Sequence, residues 1–205
     1  MNQNLKDVVN IKSDNCIYIC GMRQTGKSYL LEHILLGMPK FVIYDGATHQ
    51  HGQMGLVVRT PEELDAKLTS GENKIVCQPW KGDEKTFDKF CEIIWKHGNM
   101  MFAIEEIGNY MDAFSCPEYA DMLIRVGRNR GIGIMGINQR PRRIWNTFIA
   151  LIDHWFVFRT MLPNDITFLC EYLGSAREQE IKELPKRYFY YMNSDEMKPI
   201  KCNPL

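Results

Sequence analysis

The stretch Gly21-Met22-Arg23-Gln24-Thr25-Gly26-Lys27-Ser28 fits G-x-x-x-x-G-K-[ST], and its flanks give the pattern its meaning. The apolar run Cys16 to Cys20 precedes it, and Tyr29 to Leu36 follows with Leu30, Leu31, Ile34 and Leu35 at helical spacing. Strand, tight loop and helix therefore stand in the order of a phosphate-binding loop. Gly21 and Gly26 let the backbone curl until successive N–H groups point inward. Lys27 can then reach β- and γ-phosphates, the Ser28 hydroxyl can ligate Mg²⁺, and the helix adds the positive end of its dipole. This reading assigns nucleotide contacts to Gly21, Met22, Arg23, Gln24, Thr25, Gly26, Lys27, Ser28 and Tyr29. A structural glycine-rich turn is the alternative, and the flanking strand and helix weigh against it.

Outward from the loop, short apolar runs alternate with amphipathic stretches. Strands are expected at Lys40 to Tyr44, Leu56 to Val58, Lys74 to Cys77, Met100 to Ile104, Gly131 to Ile137, Asp153 to Phe158 and Arg187 to Met192. Thr60-Pro61 opens one helix, and Asp83 to Lys96 carries Phe87, Phe90, Cys91 and Ile94 on one face of another. Pro117 to Val126 reads as a helix burying Tyr119, Met122, Leu123 and Val126. Pro141 to Trp145 reads as the start of a short helix, and Pro163 to Leu173 and Ser175 to Leu184 as a pair. The pair's second member opens on a Ser175-x-x-Glu178 capping box. Residues Met1 to Asn15, polar apart from the cluster Val8, Val9 and Ile11, are expected to be a tail leading into the first strand or to lean on a neighbouring subunit, and the tail after Asn193 to be irregular. Asp45 ends a strand where ligands bind in open α/β sheets, or simply forms a turn. His49 and His51 lack a third nitrogen ligand nearby, so a solvated loop is the expectation rather than a metal site.

Alternation of strands and helices implies a parallel sheet with helices on both faces. At 205 residues, 45% hydrophobic, the chain is expected to build one domain over 1–205 with its core at about 16–192. Its 25 basic and 25 acidic residues leave no global electrostatic footprint for nucleic acid, so any such contact must come from a local patch or from oligomer geometry. No apolar run approaches the roughly 18 residues that span a bilayer, and no membrane insertion or signal segment is expected. Seven cysteines without a CxxC pair read as buried free thiols, with disulfides left open.

Three later motifs narrow the class. Glu105-Glu106 follows the apolar run Met100 to Ile104, and two carboxylates at the end of a buried strand need a cation to offset their desolvation. Then come Gly127-Arg128-Asn129-Arg130-Gly131-Ile132 and Asn138-Gln139-Arg140-Pro141. In type and order these resemble the motor ATPases of the FtsK and HerA superfamily, over about Cys16 to Phe158. Among them the short chain is most similar to the DNA-packaging ATPases of membrane-containing icosahedral viruses, including the turreted viruses of archaea.

The resemblance implies a RecA-like P-loop NTPase, a three-layer α/β/α fold with a mainly parallel sheet. It implies Glu105 as the Mg²⁺ carboxylate of the Walker B motif, Glu106 as the residue polarising the attacking water, and Gln139 as the γ-phosphate sensor. The family usually has Asp where Glu105 stands, one methylene shorter. Arg128 becomes the first choice for an arginine finger in trans, ahead of Arg130 and Arg125; a solvated basic helix end is the plainer reading of each. Arg140, Arg142 and Arg143 form a basic patch for DNA phosphates, for subunit contacts or for solubility alone. The implied function is a Mg²⁺-dependent ATPase ring, a hexamer, that translocates double-stranded DNA into a capsid. Capsid or portal-vertex proteins are its further partners, in the host cytoplasm or with the virion. A nucleotide-gated assembly module without translocation is the rival. A GTPase would be expected to show an N-K-x-D motif, which is absent.

Overall fold

The computed structural model describes residues 10–195 and 200–202, so Val8 and Val9 of the N-terminal stretch lie outside the described residues. Among the described residues one sheet holds nine strands: β1 (Cys16–Cys20), β2 (Phe41–Tyr44), β3 (Leu56–Val58), β4 (Lys74–Cys77), β5 (Met100–Ile104), β6 (Ile132–Asn138), β7 (His154–Phe158), β8 (Phe189–Asn193) and β9 (Ile200–Cys202). Their order is β3-β4-β2-β5-β6-β1-β7-β8-β9. From β3 to β7 every pairing is parallel, whereas β8 and β9 join antiparallel at one edge. The inner strands β1, β2, β5, β6 and β7 are buried at every position, which suits parallel strands covered on both faces.

The helices are α1 (Lys27–Leu36), α2 (Pro61–Thr69), α3 (Glu84–His97), α4 (Glu118–Val126), α5 (Asn146–Ala150), α6 (Pro163–Leu173) and α7 (Glu178–Lys182). Because side chains alternate along a strand, β1 sends Ile17 and Ile19 to one face and Tyr18 and Cys20 to the other. Leu30, Leu31 and Leu35 of α1 cover the first face, and α2 through α7 cover the second. The result is the expected three-layer α/β P-loop fold, lopsided in its helices. All seven cysteines are free.

Several local expectations give way to tertiary context. In α4 the buried residues are Ala120, Leu123 and Ile124, while Val126 is exposed; the helix is rotated by about one residue so that Gly127 can tuck against Ile132. Residues 141–145 form turns rather than helix, because Asn138 Nδ2 donates to the carbonyls of Arg140 (3.0 Å) and Arg143 (2.7 Å) and holds them out of helical register. The Ser175 capping box does not form: Ser175–Arg177 is a 3₁₀ turn whose cap position makes no side-chain bond, and only Glu178–Lys182 is α-helical. The C-terminal stretch is not wholly irregular, since β9 pairs with β8 and buries Cys202.

Candidate nucleotide site

Strand register brings the sequence motifs to one edge. Cys20 lies opposite Asn138, Ile104 opposite Gly136, and Tyr44 opposite Ile104, so β1, β2, β5 and β6 end nearly level. Gly21, Asp45, Glu105 and Gln139 therefore leave the sheet together, at its carboxyl edge, where open α/β folds bind ligands.

The loop itself is set by backbone geometry. Gly21 and Gly26 have φ of 138° and 116°, and Gln24 between them sits at 60°. A Cβ on Gly21 would stand 2.7 Å from Phe158 Cβ, so both the dihedral and the closeness of β7 require glycine. The loop is stapled to the sheet by Gly21 N–H donating to Asn138 O (3.2 Å) and Met22 N–H to Arg159 O (2.9 Å). Lys27 is buried and donates to Met22 O at 3.0 Å. Burial pulls its pKa down, opposed by the charges of Glu106 and Glu105.

Glu105 is 3% exposed, and its Oε2 has no hydrogen-bond partner among the described residues. Glu106 takes the left-handed conformation at φ 51°, which aims its carboxylate across the cleft rather than along the strand. Its Oε1 accepts from Gln139 Nε2, and Gln139 Oε1 in turn accepts from Arg23 Nε at 2.8 Å. Loop, amide and carboxylate thus form one chain across a cleft of about 730 Å³, whose walls also include Lys27, Ser28 and Tyr29. A separate cleft of about 640 Å³ lies beside α5 and α6, lined by Phe114, Phe168 and Tyr172, without comparable phosphate chemistry.

Two cations were missing from the sequence reading. Lys186 and Arg187 line the cleft; Arg187 N–H donates to Thr25 O at 2.8 Å, and its guanidinium lies 5.8 Å from the Tyr29 ring. They are here because β8 runs antiparallel, so its first residue, Phe189, meets the end of β7 at Phe158. Periodicity carries no strand direction, so no local signal could have found them.

Asp45 is fully buried and organises the following loop. It accepts from Thr48 N–H (3.3 Å) and Oγ1–H (2.6 Å), His49 N–H (2.8 Å), His51 N–H (3.0 Å) and Gln78 Nε2 (3.1 Å). Burial would raise its pKa, but these bonds win and hold it below the ordinary carboxylate value. The loop so formed overturns the solvated reading of His51, which is completely buried; His49 is exposed. Nδ1 of His51 lies 2.8 Å from Glu32 Oε1, and its Nε2 3.4 Å from Glu105 Oε2. Burial lowers the imidazole pKa, Glu105, Glu32 and Asp45 raise it, and the net shift is upward.

The arginines at 125, 128 and 130 are elsewhere. Arg128 precedes β6 at the amino edge of the sheet, where it pairs with Asp153 and donates to Asp14 O at 3.3 Å. Arg125 pairs with Asp121, and Arg130 caps the end of α3 through Trp95 O at 2.9 Å and Lys96 O at 3.2 Å. Arg140 is paired with Asp165 at 2.8 Å while still exposed, and Arg142 and Arg143 beside it are exposed as well.

The donor set fits a magnesium-bound nucleoside triphosphate. The curled loop, Lys27 and Arg23 suit phosphate oxygens, and the unpartnered buried oxygen of Glu105 is the kind of atom that a cation or an ordered water on it would satisfy. Among the described residues no helix is long and apolar enough to cross a membrane.

No protein-family model matches the chain, and no curated protein matches it. Solved structures do. The genome packaging NTPase B204 from Sulfolobus turreted icosahedral virus 2, in complex with sulfate, is similar with a TM-score of 0.80 at 17% identity, over 95% of this chain and 98% of that one. B204 of Sulfolobus turreted icosahedral virus, a DNA-packaging ATPase, gives 0.76 at 19%, over 95% and 100%. VirB4 of Thermoanaerobacter pseudethanolicus gives 0.65 at 8%, over 92% and 89%. The resemblance drawn from Glu105-Glu106 and Gln139-Arg140-Pro141 thus has a counterpart in three dimensions, and the chain has the P-loop NTPase fold of the B204 packaging enzymes.

Proposed function

We propose that the chain is an ATP-hydrolysing motor that moves double-stranded DNA, and that its setting is the filling of a viral capsid. The observation that carries this is the convergence of Lys27, Ser28, Glu105, Glu106 and Gln139 on one cleft beside a phosphate loop. Support also comes from B204, whose structures include complexes with AMPPCP and ATP-gammaS.

In this reading the loop N–H groups and Lys27 hold the β- and γ-phosphates, and Lys27 leaves Met22 O to do so. Ser28 and Glu105 would hold Mg²⁺, directly or through water, and the ion would supply positive charge to offset what develops on the transferring phosphoryl group. Glu106 accepts a proton from the attacking water. Gln139 donates from Nε2 to a γ-phosphoryl oxygen and accepts from the water at Oε1, which requires its present bonds to Glu106 and Arg23 to be exchanged. Arg128 serves a neighbouring subunit of a hexameric ring. DNA is gripped inside the ring by a few arginines and lysines, which a neutral chain can still focus by geometry. The protein would work in the host cytoplasm or with the virion, beside capsid or portal-vertex proteins.

The test is ATP turnover with and without double-stranded DNA. Stimulation severalfold, falling as salt rises, is expected. Turnover indifferent to DNA at every salt concentration would leave a nucleotide-gated assembly module instead.

A further inference from the structure

His51 reaches the cleft by a route that nothing in its neighbours' sequence announces. Asp45, buried, gathers three N–H groups and a hydroxyl from the six residues after it. That turn places the His51 ring between the second turn of α1 and the end of β5. Glu32, on α1, is four residues beyond Ser28 and so stands one turn along the same helix face. Its Oε1 accepts from Gln53 Nε2 at 3.1 Å and lies 2.8 Å from His51 Nδ1. The other ring nitrogen faces Glu105 Oε2 at 3.4 Å, an approach too long or misaligned to be a hydrogen bond, and neither atom has a hydrogen bond among the described residues. A carboxylate, an imidazole and a second carboxylate thus make a row from α1 to the end of β5.

We propose that His51, braced by Glu32, is a positioning residue that fixes where the Glu105 carboxylate stands. This rests on the reading of Glu105 as a magnesium carboxylate. Glutamate at this place has one more rotatable bond than aspartate, and a freely turning carboxylate is a poor metal support. A rigid ring against one oxygen removes that freedom while leaving the group's remaining lone pairs for the ion's shell. Partners of this kind, one layer behind the ligands, typically change metal affinity by about 10- to 100-fold. The row also ties Glu105 to the helix that carries Lys27 and Ser28, so that the two halves of the ion's site keep a fixed separation.

The experiment uses the full chain and its His51→Ala and Glu32→Gln variants. A fluorescent ATP analogue is titrated first in EDTA and then against increasing Mg²⁺, with bound Mn²⁺ followed by electron paramagnetic resonance. For His51→Ala we expect unchanged affinity in EDTA, within about twofold, and a Mg²⁺ midpoint raised about tenfold or more, with weaker Mn²⁺ binding. Glu32→Gln, a half-buried surface change, should shift the midpoint in the same direction by less, and it decides the matter if His51→Ala does not fold. A Mg²⁺ midpoint untouched in both variants, or a loss that appears equally in EDTA, overturns the proposal while leaving the nucleotide site intact. Wild-type protein that binds the analogue without any response to Mg²⁺ would overturn the magnesium reading itself, and this inference with it.

Discussion

Glu106 and Gln139 are held by each other before any nucleotide arrives. Glu106 is a non-glycine residue at φ 51°, and its carboxylate is occupied by an amide whose oxygen Arg23 has already taken. Glu106→Gln keeps the shape and removes the proposed base, so it should retain the ATP analogue at unchanged affinity and lose about 10²- to 10⁴-fold in turnover, checked by single-turnover hydrolysis. At Gly21 the constraint is steric. Gly21→Ala puts a methyl 2.7 Å from Phe158 Cβ at a dihedral alanine resists, and it should lower stability by about 1–3 kcal/mol in urea unfolding. His154 supplies a pH dependence. It is buried between Tyr191 Oη (3.0 Å) and Asn15 Oδ1 (3.1 Å), and burial holds its pKa below the usual imidazole value, with Asp153 opposing. A depressed pKa means the unfolded chain binds the proton more readily, so this stability is whole above the unfolded value of about 6.5 and is lost as pH falls through the folded one. Melting curves between pH 7.5 and 5 should fall less steeply in His154→Gln than in wild type.

Among the elements, α3 shows how local and tertiary signals agree. Asp83 accepts from Thr86 N–H at 2.9 Å, Glu84 sits in the first turn, Lys96 and His97 in the last, and Phe87, Phe90, Cys91 and Ile94 are wholly buried. Asp83→Ala should lower the melting temperature while leaving the site's nucleotide affinity unchanged. In α4 the signals part. Its stripe from Tyr119 to Val126 satisfies the helical period, but a stripe one residue over satisfies it as well, and packing against β6 chose Ala120, Leu123 and Ile124. The capping box at Ser175 fails for a related reason. A sequence pattern offers a cap, and the 3₁₀ turn after Gly174 leaves the hydroxyl out of place to accept.

At the scale of the whole molecule, the parallel sheet separates the P-loop from Arg128 by the length of β6. Seven residues of strand span about 23 Å, far beyond an arginine's reach, so Arg128 cannot serve the nucleotide of its own chain. Its pairing with Asp153 is half exposed, so giving it up for a phosphate on a neighbour, as the proposed ring requires, costs little. Mixing Arg128→Ala subunits with Lys27→Ala subunits should therefore restore part of the ATP turnover that each lacks alone. No recovery at any mixing ratio would remove Arg128 from the proposed ring.

Some of this protein needed no third dimension. The P-loop, the run Met100 to Ile104 ending in Glu105-Glu106, and the Gly-Ile strand before Gln139 are local patterns, and local sterics and burial suffice to make each a strand end with a polar residue beyond it. A parallel sheet then brings such ends together whatever the loops between them do. What only the tertiary structure decided depends on contacts between residues distant in sequence. The burial of His51 follows from Asp45 and Glu32, the place of Lys186 and Arg187 from β8 running against its neighbour, and the face of α4 from its fit to β6. Periodicity records which residues avoid water, but not the direction of a strand or the partner that a buried side chain finds.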